Sequence, residues 1–188
     1  MTDPIRFVLA VLLLLATPGP TNTVMATAGA VNRGERPWLF MLAELGGYFA
    51  IVVLARIVLL PLIDAYPRTG TALKSLVVAY LIYAAIRLWR TRISTEVRGR
   101  VSPQLMALTT FLNPKGLIFA ITIIPRAHPM LPAFFAGFAV LVLLVSLGWF
   151  MAGRTLGVFA GSRAGLLPRV GSAALVGFAG YLVVSIVA

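Results

Sequence analysis

The sequence predicts an all-α integral membrane protein, six transmembrane helices arranged as two inverted three-helix repeats within a single transmembrane domain. Three observations predict it. Of 188 residues, 60% are hydrophobic and only 11% charged, whereas a water-soluble domain carries about 25% charged residues. The apolar residues fall into six runs of about the length that crosses a bilayer, roughly 20 residues each, which leaves no room for a separate soluble domain. The arginines gather in alternate connections between those runs, as expected of a multi-pass chain.

The runs fall at about 5 to 30, 38 to 62, 70 to 90, 104 to 125, 130 to 152 and 166 to 188. The first contains VLAVLLLLA and is then interrupted by TPGPTN. Its short polar start and the small residues of ATAGA would also suit a signal peptide, but Asp3 cancels Arg6 and leaves a weak positive start, which favours a retained helix. The second run follows NRGERP and carries Glu44. The third carries Lys74, Tyr80, Tyr83 and Trp89, and the fourth contains the interruption NPKG. The fifth begins after His128-Pro129 and holds Trp149. The sixth is rich in small residues, among them Ala173, Gly177 and Gly180.

The net charge is +11, from 16 Lys+Arg against 5 Asp+Glu. In a soluble protein that excess would point to nucleic acid. Here the basic residues sit in short connections, where they set orientation and meet anionic lipid headgroups, so no nucleic-acid partner is expected. After runs one, three and five lie Arg33 and Arg36, then Arg87, Arg90, Arg92, Arg98 and Arg100, then Arg154, Arg163 and Arg169; the other side has Arg6, Arg68 and Arg126. Basic residues stay cytoplasmic, which predicts both termini on the non-cytoplasmic face of a cell (inner) membrane. The absence of cysteine excludes dithiol electron transport and thiolate metal sites. No metal or other cofactor is expected.

Pro20 in the first run and Pro114 in the fourth are separated by half the chain length. Two halves of three spans each, about 1–94 and 95–188, must run in opposite orientations, which is the layout of an inverted-topology repeat. Within Thr17-Pro18-Gly19-Pro20-Thr21-Asn22 the prolines remove backbone donors and clash with the carbonyls of Leu14 and Ala16, so the helix must break or kink. Asn113-Pro114-Lys115-Gly116 does the same in the fourth run, at the carbonyl of Thr110. Freed backbone groups at membrane depth are tolerated only where protein buries them or water reaches them. Prolines also merely bend many membrane helices. Two breaks at matched places, each beside an Asn and one beside a Lys, favour a shared substrate site over simple bending.

These residues resemble the LysE/RhtB family of amino-acid exporters, over almost the whole chain. TPGPTN at 17–22, followed by NRGERP at 32–37, is similar to the family's first-helix PGP signature and the loop behind it. FLNPKGLIFAITIIP at 111–125 is similar to its fourth-helix NPK signature, which often ends in Pro-Gln where this chain has Pro125-Arg126. The resemblance implies six helices, export of amino acids or related small metabolites, and coupling to the proton gradient. Glu44 departs from the family pattern, which more often has a small residue near that position.

Glu44 is the only acid well within an apolar run. Holding a charge there is costly unless a cation pairs with it, and Lys115, one of two lysines, is the natural partner. Two readings stand: a carboxyl that gains and loses a proton during a transport cycle, or a static ion pair or hydrogen bond between helices two and four. Arg56 and Lys74 are placed to snorkel to the interface, with Arg56 deep enough to meet an anionic substrate group. The single His128 reads as a loop residue and cannot hold a metal alone. Trp38, Trp89 and Trp149 suit interfacial belts, while Tyr80 and Tyr83 could face a cavity. Gly46, Gly47, Ala173, Gly177 and Gly180 suit close helix packing, which permits but does not require a homodimer.

The functional expectation is a secondary active transporter with alternating access around a midplane site at the two breaks, taking a small-molecule substrate. Half-helix N-termini would receive a carboxylate; released carbonyls with Glu44, Asn22 or Asn113 would receive an ammonium. No nucleotide-binding loop is present. An ion or metal-ion channel or exporter is the alternative. A membrane enzyme is a weaker one, since the chain offers no nucleophile with a base and no metal-ligand cluster.

Overall fold

The computed structural model describes residues 3–32, 36–66 and 101–156 continuously, with individual helical residues between 68 and 86 and between 173 and 184. Lys74, Trp89, most of the arginine-rich connections and the expected boundary between repeats near residue 94 lie outside the described residues. Among the described residues there is no strand. Helix α1 spans Pro4–Ala16, α2 Pro20–Val31, α3 Pro37–Ala65, α4 Pro103–Phe111, α5 Pro114–Ile118 and α6 Leu131–Leu156. A π-helical turn, Phe119–Ile123, continues α5.

The helix starts follow from local chemistry. Proline stands in the first turn of α1 to α5, where its missing N–H removes no helical bond. Asp3 caps α1, its carboxylate accepting from the N–H of Ile5 at 2.8 Å, and Ser102 caps α4 through the N–H of Leu105 at 3.1 Å. His128, half-buried rather than a free loop residue, accepts from the N–H of Met130 at 3.1 Å just before α6, and its ring meets Phe134 edge-on.

Both proline interruptions are true breaks. The axes of α1 and α2 meet at 62°, and those of α4 and the Pro114–Ile123 segment at 50°. Helices α3 and α6 by themselves, and each bent pair taken as one span, are long and apolar enough to cross a membrane. The chain is therefore all-helical with two to four apolar spans among its described residues.

Two apolar clusters hold these elements together. The larger joins Phe7, Val11, Leu14 and Leu15 of α1 to Tyr48, Val52 and Ala55 of α3, to Ile118–Ile124, and to Phe134, Phe138 and Val142 of α6. The smaller joins Met25 and Ala28 of α2, Phe40 of α3, Val101, Met106 of α4 and Phe150 of α6. Beyond the smaller cluster, the Asn32 side chain pairs both backbone groups of Val101, donating to its carbonyl at 2.7 Å and accepting from its N–H at 3.3 Å. Beyond the larger one, the Arg56 guanidinium donates to the carbonyls of Pro125 (3.1 Å) and Arg126 (2.6 Å) and sits over the Phe135 ring. Arg126 in turn pairs with Asp64. Arg56 reaches the loop at the end of the π turn, where three hydrogen bonds to the Pro125 and Arg126 carbonyls hold it.

Close approach of α2 to α6 rests on two reciprocal glycines. A Cβ built on Gly29 would lie 2.0 Å from the Phe150 carbonyl oxygen, and one on Gly153 would lie 1.8 Å from that of Ala26. Gly47 plays the same part between α3 and α4, where an added Cβ would lie 2.7 Å from the Ala107 carbonyl oxygen, whereas one on Gly46, Gly177 or Gly180 meets nothing within 4 Å among the described residues. Backbone cannot step aside as a side chain can. Gly29→Ala is expected to lower unfolding stability by about 1–3 kcal/mol, while Gly148→Ala, whose added Cβ meets nothing within 4 Å among the described residues, is expected to be neutral or to raise stability by up to about 1 kcal/mol. Equilibrium unfolding in mixed micelles checks both.

Candidate functional site

Each long element passes through one polar layer between the two apolar clusters. Along α3 the order is Phe40, Glu44, Tyr48; along α6 it is Val142, Ser146, Phe150; along the first bent pair it is Leu15, then Thr17, Thr21 and Asn22, then Met25. The second bent pair contributes Met106, Thr110, Asn113, Lys115 and Ile118, running in the opposite sense. All the polar members of this layer are buried, Glu44 at 3% and Lys115 at 4% exposure. Buried charges on this scale are held only where hydrogen bonds and opposite charge accompany them.

The first break exposes carbonyls at the end of α1. Asn22, one turn into α2, folds back and its amide donates to the carbonyls of Leu15 at 2.7 Å and Thr17 at 2.9 Å. The Thr17 carbonyl also accepts from Lys115 Nζ, which reaches across from the second break. Gly19 makes room for that ammonium: a Cβ there would stand 3.3 Å from Lys115 Nζ. Thr17 is the C-cap of α1, so the cation sits at the negative end of that helix's dipole.

The second break returns the contact. Asn113 caps α5, its carbonyl oxygen accepting from the N–H of Lys115 at 3.1 Å. Its amide donates to Thr21 Oγ1 in the first turn of α2. The two interruptions, 92 residues apart across this bond, therefore complete one another's hydrogen bonding. The prolines shape the breaks rather than line the layer, with Pro18 and Pro114 half-buried and Pro20 exposed.

Glu44 accepts from the hydroxyl of Ser146 on α6, and that hydroxyl also lies 2.6 Å from the Val142 carbonyl. Glu44 and Lys115 do not form an ion pair; each has its own hydrogen-bond partner. The sequence makes Lys115 the natural partner of Glu44, but the geometry gives each a different one. Helix α3 instead turns Glu44 toward α6, while the α1 carbonyl end captures the lysine first.

Thr17, Thr21, Asn22, Glu44, Asn113 and Lys115 are thus brought together as the spacing suggested. Tyr83 is exposed and Tyr80 half-buried, their rings packed on one another. Ser146 and Tyr48 were missed. A single hydroxyl in LVLLVSLGW was the available signal for Ser146. For Tyr48 it was the i, i+4 spacing to Glu44, which places both on one face of α3.

What the fold and the layer define is an all-helical chain whose apolar helices are compatible with membrane insertion and whose centre is a buried polar cluster. Compared with protein-family models, curated proteins and solved structures, the chain matches none of them.

Asn22→Leu keeps the side-chain size but removes both donors, leaving the Leu15 carbonyl without its partner. We expect a loss of about 1–3 kcal/mol in unfolding stability. Thr23→Val, which removes an exposed hydroxyl bonded to Gly19, is expected to change stability by less than about 0.5 kcal/mol. Thermal unfolding of the two variants in one detergent compares them directly.

Proposed function

We propose that this chain is a secondary active exporter of amino acids or related small metabolites, coupled to the proton gradient and resident in the cell (inner) membrane. The observation that carries the reading is the polar layer itself: two broken helices cross-bonded at their breaks, with a carboxyl and an ammonium held between two apolar clusters. A helix bundle that needed only to stay folded would gain more from apolar residues at those positions. Broken helices facing each other are the recurring way in which inverted-repeat transporters present backbone and charge to a substrate. The resemblance of TPGPTN and NPKG to the LysE/RhtB signatures supports the same reading.

In this proposal the chain has six spans in two inverted repeats, with both termini outside the cytoplasm. The substrate enters the layer from one side when one apolar cluster parts, and leaves when the other does. Glu44 is the proton-carrying group. Its carboxyl is the acid in the layer, and Ser146 holds it in place without neutralising it.

The test is efflux of preloaded radiolabelled amino acids from proteoliposomes, with and without an imposed pH gradient. The expected outcome is saturable efflux of at least one substrate, accelerated by the gradient. Glu44→Gln, which keeps the hydrogen bond from Ser146 possible, is expected to abolish the acceleration and slow gradient-driven efflux by at least tenfold. Ion conductance without saturable efflux would point to a channel instead.

A further inference from the structure

Tyr48 has a property that no other side chain shares among the described residues: its hydroxyl is buried and has no hydrogen-bond partner. The residue is fully enclosed, 0% exposed. Its ring is held edge-on by Phe119 at 5.5 Å and by Phe138 at 6.0 Å, so the direction of the hydroxyl is set by packing. That direction is into the polar layer. The oxygen neighbours Thr21 of α2 and the Glu44 carboxyl one helical turn away on α3, and it makes no hydrogen bond of good geometry with either. An unmade bond of this kind is expensive, and native structures keep few of them without a reason.

The neighbours decide which chemistry would complete it. Thr21 Oγ1 already accepts from the Asn113 amide, and Glu44 already accepts one proton from Ser146. What the phenol and the carboxyl share is unused acceptor capacity on the same face of α3. A carboxylate placed between them would meet Glu44 with like charge. An ammonium would donate to both the phenol oxygen and the carboxylate, and the phenol O–H, which an ammonium cannot accept, would be left to donate to the carboxylate beside it.

We propose that Tyr48 Oη, together with the Glu44 carboxylate, is the receptor for the ammonium group of the transported molecule, so that Tyr48 selects substrates carrying a free primary amine. The inference rests on the exporter reading above and adds the residue and the substrate group that it recognises. Lys115, across the layer at the end of α1, is left for the opposite pole of a zwitterion.

Tyr48→Phe tests it, because the ring and its contacts with Phe119 and Phe138 are kept and only the hydroxyl is removed. Km for amino-acid efflux in proteoliposomes is expected to rise about tenfold, the value of one hydrogen bond to a charged group. Thermal stability of the substrate-free variant is expected to equal or exceed that of wild type, since an unpartnered polar atom has gone. An unchanged Km with raised stability would overturn the role of Tyr48 and leave the exporter reading standing. Wild-type protein that transports no amino acid would overturn both. A second measurement needs no variant: the N,N,N-trimethyl derivative of the transported amino acid is expected not to compete for efflux in wild type. Competition equal to that of the parent compound would overturn the proposal even if Tyr48→Phe could not be purified.

Discussion

The structure depends on how backbone polar groups, set free by proline, are satisfied inside an apolar bundle. Each break releases carbonyls or N–H groups that water would otherwise solvate, and each unpaired group buried in hydrocarbon costs several kcal/mol. The chain settles this by exchange. Asn22 and Lys115 serve the carbonyls at the end of α1, and Asn113 serves the start of α5 while donating to Thr21. Each pair serves its own freed backbone groups, and the Lys115 and Asn113 side chains then bond across to Thr17 and Thr21, tying the two breaks together.

Everything else in the bundle is arranged around that exchange. The Phe-rich cluster on one side and the Met25, Met106 and Phe150 cluster on the other close the polar layer against solvent. Gly29 and Gly153 let α2 and α6 approach closely, and Gly47 does the same between α3 and α4. Farther out, the Asn32 and Arg56 clasps tie the ends of the bent pairs to neighbouring segments through backbone carbonyls. Those outer contacts involve few groups each, whereas the clusters involve many side chains of low directional demand.

Much of this was legible in the sequence, and the reason is specific. Proline acts through covalent geometry, so TPGPTN and NPKG announced their breaks without help from tertiary context. The burial of Glu44 and Lys115 followed from apolar neighbours on both sides. Their hydrogen-bond partners did not, since direction around a helix depends on how helices pack. The Glu44 carboxyl could meet α6 or the second break, and only the crossing of α3 with α6 selects Ser146. Arg56 shows the same limit: its depth was readable, but its capture by the Pro125 and Arg126 carbonyls required the π turn to end where it does. Tyr48 is the clearest case, because a tyrosine in an apolar run reads as packing until its hydroxyl is found without a partner.

The separation of Glu44 from Lys115 has a physical consequence. A direct ion pair in a dry interior would neutralise both groups and resist any change of charge state, because removing one partner strands the other. Here the two share a layer without sharing a hydrogen bond. Lys115 is held by a helix terminus and a carbonyl, partners that keep their character whatever happens to the carboxyl, and Glu44 is held by a hydroxyl, which can donate to a carboxylate or accept from a carboxylic acid. Ser146 is therefore compatible with both states of Glu44, and neither state requires Lys115 to leave the α1 terminus. That independence, more than the presence of charges as such, is what separates this layer from a structural salt bridge.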